Sequence, residues 1–270
     1  MKKVIIILVI LAAIVGITGS LVCCANGVLT QIQRERLKGS GNLVTRDISL
    51  ATFDCVEASR GVKVVLIAGS ASQQASLEAD DNVIDLVVAR VEQGKLKVSL
   101  DSKLQSFSNI HVTLVVPTEG KISQIGTSSG AQVESAVTLT GDVLKLDASS
   151  GSMIEVTAHV TQCDVDASSG AVIVAQMSAT TCDVDASSGA EIQLSGSAHD
   201  GTMEGSSGAE INAKQLAMSN CTATASSGAE VAVQCSAQLN ASASSAASIC
   251  YNGDCKVTAR KSSGGEIRKK

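Results

Sequence analysis

From about residue 118 onward, apolar and polar residues alternate in short runs broken by Ser-Ser-Gly. The glycines are Gly130, Gly151, Gly170, Gly189, Gly208 and Gly228, with Ser244-Ser245-Ala246 as a degenerate copy and Ser262-Ser263-Gly264 as the last. Their numbers alone show how evenly the corners recur. A period this tight over more than half the chain is the mark of a repeat architecture. Three residues after each corner stands a β-branched aliphatic: Val133, Ile154, Ile173, Ile192, Ile211, Val231, Ile249 and Ile267. Seven residues before it come Leu144, Cys163, Cys182, Gly201, Cys221, Leu239 and Val257, and five before it Leu146, Val165, Val184, Met203, Ala223, Ala241 and Ala259. Both flanks alternate with period two, which predicts a short strand on each side of the turn.

A unit of this size cannot bury its own apolar face. Stacking the units does it, because each residue then sits on its counterpart one coil away. The prediction is an all-β, single-stranded parallel β-helix with coils of about 19 residues, preceded by an N-terminal apolar helix. Eight coils at one strand spacing each would extend about 40 Å. A leucine-rich horseshoe is the competing solenoid, but its Leu and Asn columns are missing. The stretch 39–117 is strand-rich and less regular: "GVKVVLIAG", "KLKVSL" and "NIHVTLVVP" alternate, and Asp81-Asn82 and Gln93-Gly94 read as turns. It is either the start of the same solenoid or a sheet that caps it. The β-helix domain is therefore 39–270, irregular over 39–117 and regular over 118–270.

The N-terminus has a different character. Met1-Lys2-Lys3 precedes the apolar run "VIIILVILAAIVGITGSLV", and charge does not return until Arg34. Residues 1–24 read as a signal peptide or a membrane anchor. Leu21-Val22-Cys23-Cys24 resembles a bacterial lipoprotein signal, with Cys24 as the lipidation candidate, although Val22 and Cys23 replace the usual small residues. Simple secretion, an uncleaved helix and a lipid anchor all export the rest of the chain. Residues 25–38 read as a tether.

Composition narrows the function. Aromatic residues are 1% of the chain, which removes ring-stacking platforms for sugars or bases. The net charge of −5 gives no reason to expect nucleic acid. The basic tail Arg268-Lys269-Lys270 reads as a solvated end.

The outward carboxylates are the most chemical feature. Asp147, Asp166, Asp185 and Glu204 each stand four residues before a corner Gly, and Asp164 and Asp183 lie two residues earlier. Stacked carboxylates repel one another. A hard cation such as Ca²⁺ would relieve that but needs six to eight oxygens, so a solvated acidic face is the plainer reading. Glu191, Glu210 and Glu230 form a second acidic column. His111, His159 and His199 fall in different registers, which argues against a Ser-His-Asp site. Neither a metal centre nor a cofactor is expected. Cys163 and Cys182 share a column and read as buried apolar thiols, while Cys250 and Cys255 flank a tight turn and are the disulfide candidate.

The stretches "LKGSGNLVTRDISLATFDCVEASRGVKVVLIAG" and "NIHVTLVVP", the Ser-Ser-Gly-Ala corners and the ending "ICYNGDCKVTARKSSGGEI" resemble the auto-transporter adhesin head domain (GIN domain) family of exported bacterial proteins. The family commonly repeats Ser-Gly-(Ser/Ala)-Gly at its corners, and its ending reads like Tyr-x-Gly-x-Pro, where this chain has Cys255 in place of Pro. The resemblance spans about 39–270. It implies an exported β-helical protein, often a lipoprotein, and supplies no catalytic residues. The expectation is a non-enzymatic envelope protein, adhesin-like or a scaffold. It would be held at the membrane through its N-terminus and meet a protein or glycan at the cell surface. A polysaccharide-active β-helix enzyme is the alternative, along with a Ca²⁺-binding envelope protein. The even coil lengths leave no room for the long loops that build such an enzyme's cleft.

Overall fold

The computed structural model describes residues 36–70 and 74–270. The apolar segment 1–24 with Cys24, and most of the tether, lie outside the described residues. Among the described residues no helix is long and apolar enough to cross a membrane. The chain divides into two units. In the smaller one, Leu37–Lys38 pairs in parallel with Phe107–Ser108, and Arg36 Nε–H donates to the Phe107 carbonyl at 3.0 Å.

The larger unit is a parallel β-solenoid. Its coils keep the period of the sequence: Cys163 pairs with Cys182, Val165 with Val184 and Ala167 with Ala186. Each corner is a two-residue reversal. The Ser128 carbonyl accepts the Ala131 N–H at 3.1 Å, while Ser129 and Gly130 have φ of 52° and 74°. Positive φ at both central residues defines a type I′ turn. The corners repeat it, with φ of 47–64° at the second position and 59–79° at the third. The corners are also tied to one another. Gly130 N–H donates to the Ser150 carbonyl, Gly151 to Ser169, and Gly170 to Ser188, each at 3.1 Å. The repeated serine thus supplies a backbone carbonyl in the left-handed region, where a residue with a Cβ is strained.

Sequence alternation predicts a short strand on each side of a corner. The structure instead runs one ladder from corner to corner, as in Met153–Ala167, Val172–Ala186 and Glu191–Gly205. The side opposite the corner is where coil length is adjusted. Glu134 pairs with Glu155 but Thr138 with Thr157, so positions 135–137 sit opposite Val156 alone and the long first coil is absorbed in one bulge. Similar shifts follow Gln193 and Ala213. The corners and their flanks stay in strict register, as the apolar columns require.

Those columns are the core. Val133, Ile154, Ile173, Ile192, Ile211, Val231 and Ile249 are at most 1% exposed. Each such burial contributes about 1.5–3 kcal/mol. Beside the corners the interior narrows, and both flanks carry buried alanines such as Ala167 with Ala171 and Ala186 with Ala190. This wedge has no room for rings, which accounts for the scarcity of aromatics. Gly201 interrupts the Cys163–Cys182 column because the Met218 sulfur occupies the place its Cβ would take.

The irregular N-terminal stretch combines a further coil with antiparallel strands. Ser59-Arg60-Gly61 is a further corner, with φ of 64° at Arg60 and 75° at Gly61. The Gly61 N–H donates to Ser129 at 3.0 Å, so this coil lies under the next corner although all of segment 62–128 intervenes along the chain. Cys55–Ser59 is sandwiched between Lys95–Leu100 and Gln124–Ser128, all in parallel. Beyond it the sheet turns antiparallel: Val87–Glu92 covers Lys95–Leu100, and Ala75–Asp80 covers Val112–Thr118 with Leu43–Ile48 outside it. Buried Asp80 ties this cap together. Its carboxylate accepts the Gly41 and His111 N–H groups, each at 2.7 Å.

Corner strain is measurable by chemical denaturation. A Cβ on Gly170 would meet nothing within 4 Å, so Gly170→Ala tests the backbone alone. It should cost about 1 kcal/mol. Ala246, at φ 59°, occupies the glycine position of its corner, and Ala246→Gly should return up to about 1 kcal/mol. Equal stability of all three proteins would mean that the corners hold no strain.

Candidate functional site

Outward side chains stack as regularly as inward ones. The pairing register places Asp147, Asp166, Asp185 and Glu204 in one column on consecutive coils. A parallel column holds Lys145, Asp164, Asp183 and Thr202, and a third holds Gln162, Thr181 and Asp200. Neighbours in a column are one strand spacing apart, about 4.8 Å. Asp147, Asp166, Asp185 and Glu204 therefore form one ladder, with Asp164 and Asp183 in the column beside it.

Polar partners soften the repulsion at its edges. Gln124 Nε2 donates to Asp147 at 3.1 Å, Gln162 Nε2 to Asp164 at 2.9 Å, and Lys145 lies 3.5 Å from Asp164. Asp166 stands in the middle with acids on three sides. Partial burial pushes its pKa up, and Asp147, Asp185 and Asp164 push it further, against a smaller opposing pull from Lys145. At Asp200 the sign reverses, because the Asn220 amide donates to its carboxylate at 2.8 Å and His199 lies beside it, which lowers its pKa. An open groove of about 630 Å³ runs along the ladder from Glu57 past Gly126 and Asp147 to Asp185. Gly126 occupies the ladder column between Glu57 and Asp147, so the column has a gap there.

The face continues past the acids, which the sequence reading did not follow. After Glu204 the ladder column reads Thr224, Ser242 and Arg260, and its neighbour reads Thr222, Asn240 and Thr258. Lys256 ends the third column after Asn220 and Gln238. One face thus passes from carboxylates through neutral amides and hydroxyls to cations. The signal was present at the same offset from each corner. On the other side of the corners, Glu191, Glu210 and Glu230 are in register as a second ladder.

The remaining candidates are dispersed. His111 meets Glu78 at 3.1 Å, His199 meets Asp200 at 3.1 Å, and His159 pairs in register with Thr140 and Ser178. Among the described residues no three His, Cys, Asp or Glu side chains converge so as to hold a metal ion. Cys163 and Cys182 are stacked, buried and free. Burial pushes the Cys163 thiol up to about 12 and raises Cys182 as well. Cys250 and Cys255 are also free thiols. Cys250 accepts the Arg268 Nε–H at 3.1 Å, and the Cys255 thiol interacts electrostatically with Cys235. Two cations of the basic tail are engaged, Arg268 at Cys250 and Lys269 at Asp254, 2.8 Å away.

A corner-stacked parallel solenoid with outward columns in register defines a class of β-solenoid repeat domain. The family model for "Putative auto-transporter adhesin, head GIN domain" matches residues 52–255, and the chain belongs to that family. Its fold is that of several solved structures. A "putative adhesin" from Parabacteroides distasonis is 20% identical with a TM-score of 0.79, covering 87% of this chain and 100% of its own. A "putative adhesin" from Parabacteroides merdae is 18% identical with a TM-score of 0.78, covering 87% and 99%. A "putative lipid binding protein" from Parabacteroides distasonis is 17% identical with a TM-score of 0.74, covering 87% and 100%. Comparison with curated proteins finds no match.

The ladder's repulsion has a pH signature. Because the fold raises the Asp166 pKa, its contribution to stability is fully present below the ordinary Asp value of about 3.9. It is lost as pH rises through the raised value. Asp166→Asn should therefore stabilise the protein at pH 7 by a few tenths to about 1 kcal/mol, with the gain shrinking toward pH 3 and in high salt. Urea midpoints across that range provide the measurement. A gain that ignores both pH and salt would rule out carboxylate repulsion as its source.

Proposed function

We propose that this chain is a non-catalytic, adhesin-like module of a bacterial cell envelope. Its contact surface is the three-column face that carries Asp147, Asp166, Asp185 and Glu204. One observation carries the reading: the pairing register is kept from coil to coil, and shifts are confined to small bulges away from the corners. Within the larger unit the regular coils from Gly130 onward carry no long insertion among the described residues, and the groove along the ladder is open. Acid–base chemistry in this fold needs walls to exclude water and orient a substrate. An open ladder instead offers many equal, weak polar contacts. The family's adhesin description and the adhesin neighbours support the same reading.

Retention on arrays of envelope and host-surface glycans and proteins tests it. The Asp147→Asn, Asp166→Asn, Asp185→Asn triple variant should lose at least about tenfold in retention on those surfaces that hold the wild type, because exposed charge contacts add across the ladder. Equal retention of both proteins by every surface would remove the acidic face from the reading.

The membrane end of the proposal rests on the apolar segment and Cys24. In a bacterial host fed labelled palmitate, the wild type should carry label in the membrane fraction and Cys24→Ser should carry none. Label on neither protein would eliminate the lipid anchor in favour of a signal peptide or an uncleaved helix.

A further inference from the structure

Among the described residues, the strands of the last coil, Lys256–Lys261 and Glu266–Lys269, pair only with Glu230–Ala243 and Ser248–Asn252. Val257 and Ile267 are half-buried there and Ala259 is exposed, whereas their counterparts one coil earlier, Leu239, Ile249 and Ala241, are at most 3% exposed. A terminal repeat with an uncovered core needs a cap or a tie.

A tie is present. Pairing between the last two coils stops at Gln234–Asn252 and resumes at Gln238–Lys256. Residues 235–237 and 253–255 are thus two stacked bends. Gly253 lies flat on the lower bend, where a Cβ would collide with the Cys235 carbonyl oxygen. Cys235 opens one bend and Cys255 closes the other. They are not register partners, so their side chains are free of the parallel alignment that keeps Cys163 and Cys182 side by side. The two thiols are near enough to interact electrostatically across the stacked bends. Cys235 is fully buried and also reaches the Ser219 carbonyl at 3.2 Å and the Gln238 carbonyl at 3.0 Å. Cys255 is half-exposed, so an oxidant can reach the pair from that side.

We infer that Cys235 and Cys255 close as a disulfide in an oxidising medium and staple the open last coil to the one beneath it. The oxidant is a small-molecule disulfide. The Cys255 sulfur, having lost its proton, attacks one sulfur of that disulfide, breaks its S–S bond and releases one thiol. Cys235, losing its proton in turn, attacks the Cys255 sulfur of the mixed disulfide and releases the second thiol. Two protein thiols and one disulfide become one protein disulfide and two small thiols.

The test uses the full chain in buffers of oxidised or reduced glutathione, so its outcome does not depend on where the protein resides. Chymotryptic cleavage after Leu239 and Tyr251 puts Cys235, Cys250 and Cys255 on separate fragments. Oxidation should join the Cys235 and Cys255 fragments, with fragment-ion spectra distinguishing Cys235 from Cys221, and reductant should part them. Amide exchange over Lys256–Lys261 and Glu266–Lys269 should slow at least about tenfold on oxidation. It should not slow in Cys255→Ser, which alters the accessible partner and leaves the buried one in place. A bond mapped to Cys250–Cys255 or Cys163–Cys182, no bond at all, or a Cys235–Cys255 bond without slowed exchange would overturn the inference.

Discussion

Backbone hydrogen bonds in this solenoid run between coils. Every residue's closest neighbour is therefore its counterpart in the next coil, and each coil is stable only while that next one covers it. Identical apolar groups stack well, so selection for stacking repeats Ile on Ile and Ala on Ala. Identical charges stack badly, yet the same register forces Asp166 between Asp147 and Asp185. The core and the repulsive ladder are two consequences of one alignment. The corner turns hold that alignment: the regular corners are closed internally and hydrogen-bonded to one another, so a tight turn in every coil fixes the register of all the others.

Both ends of such a stack are exposed edges, and this chain treats them differently. At the N-terminal end the sheet changes from parallel to antiparallel. The chain runs out past the coil at Cys55–Ala68, turns back through Lys95–Leu100 and Val112–Thr118, and only then starts the regular coils. Asp80 fixes that return with two charge-assisted hydrogen bonds from backbone N–H groups of distant segments. At the C-terminal end, no further layer pairs with the last strands among the described residues. Lys256, Arg260, Lys261 and Arg268 crowd the last strands, and charged side chains on an edge discourage pairing with another chain.

The regular half was legible because a stacked column writes itself into the sequence as a period. The corner, the Ile column, the Cys163–Cys182 pair and the acidic ladder all fall where that period puts them. Ser59-Arg60-Gly61 escaped because the whole N-terminal excursion separates Gly61 from Gly130 along the chain, although the two corners are neighbours in space. A period search reads sequence neighbours as spatial ones, and here the chain leaves and returns. Strand length was misjudged for a related reason. Alternation breaks on the side opposite the corner, where coil-length differences are absorbed, yet the ladder of hydrogen bonds bends through that side without ending. The thiol interaction at Cys235 was invisible for the opposite reason: it joins two bends, where register fails and columns predict nothing.

The face that carries the acidic ladder gains meaning from its other half. Over the regular coils the column runs from Asp147 to Arg260, a change of charge that stacking alone would not select, since stacking favours repetition. Solubility alone does not order it either, because mixed charges in any sequence would serve. The order places carboxylates, then neutral hydroxyls and amides, then cations along one flat surface at constant spacing. Each exposed group contributes little by itself. Contacts that share one rigid frame add without a fresh entropic cost for each, so on the proposed reading a long partner with matching periodicity would be held by their sum. A compact substrate touching one or two rungs gains almost none of that sum. On the proposed function, this surface would favour an extended or multivalent partner over a small ligand, with the discriminating power in the sequence of rungs rather than in any single residue.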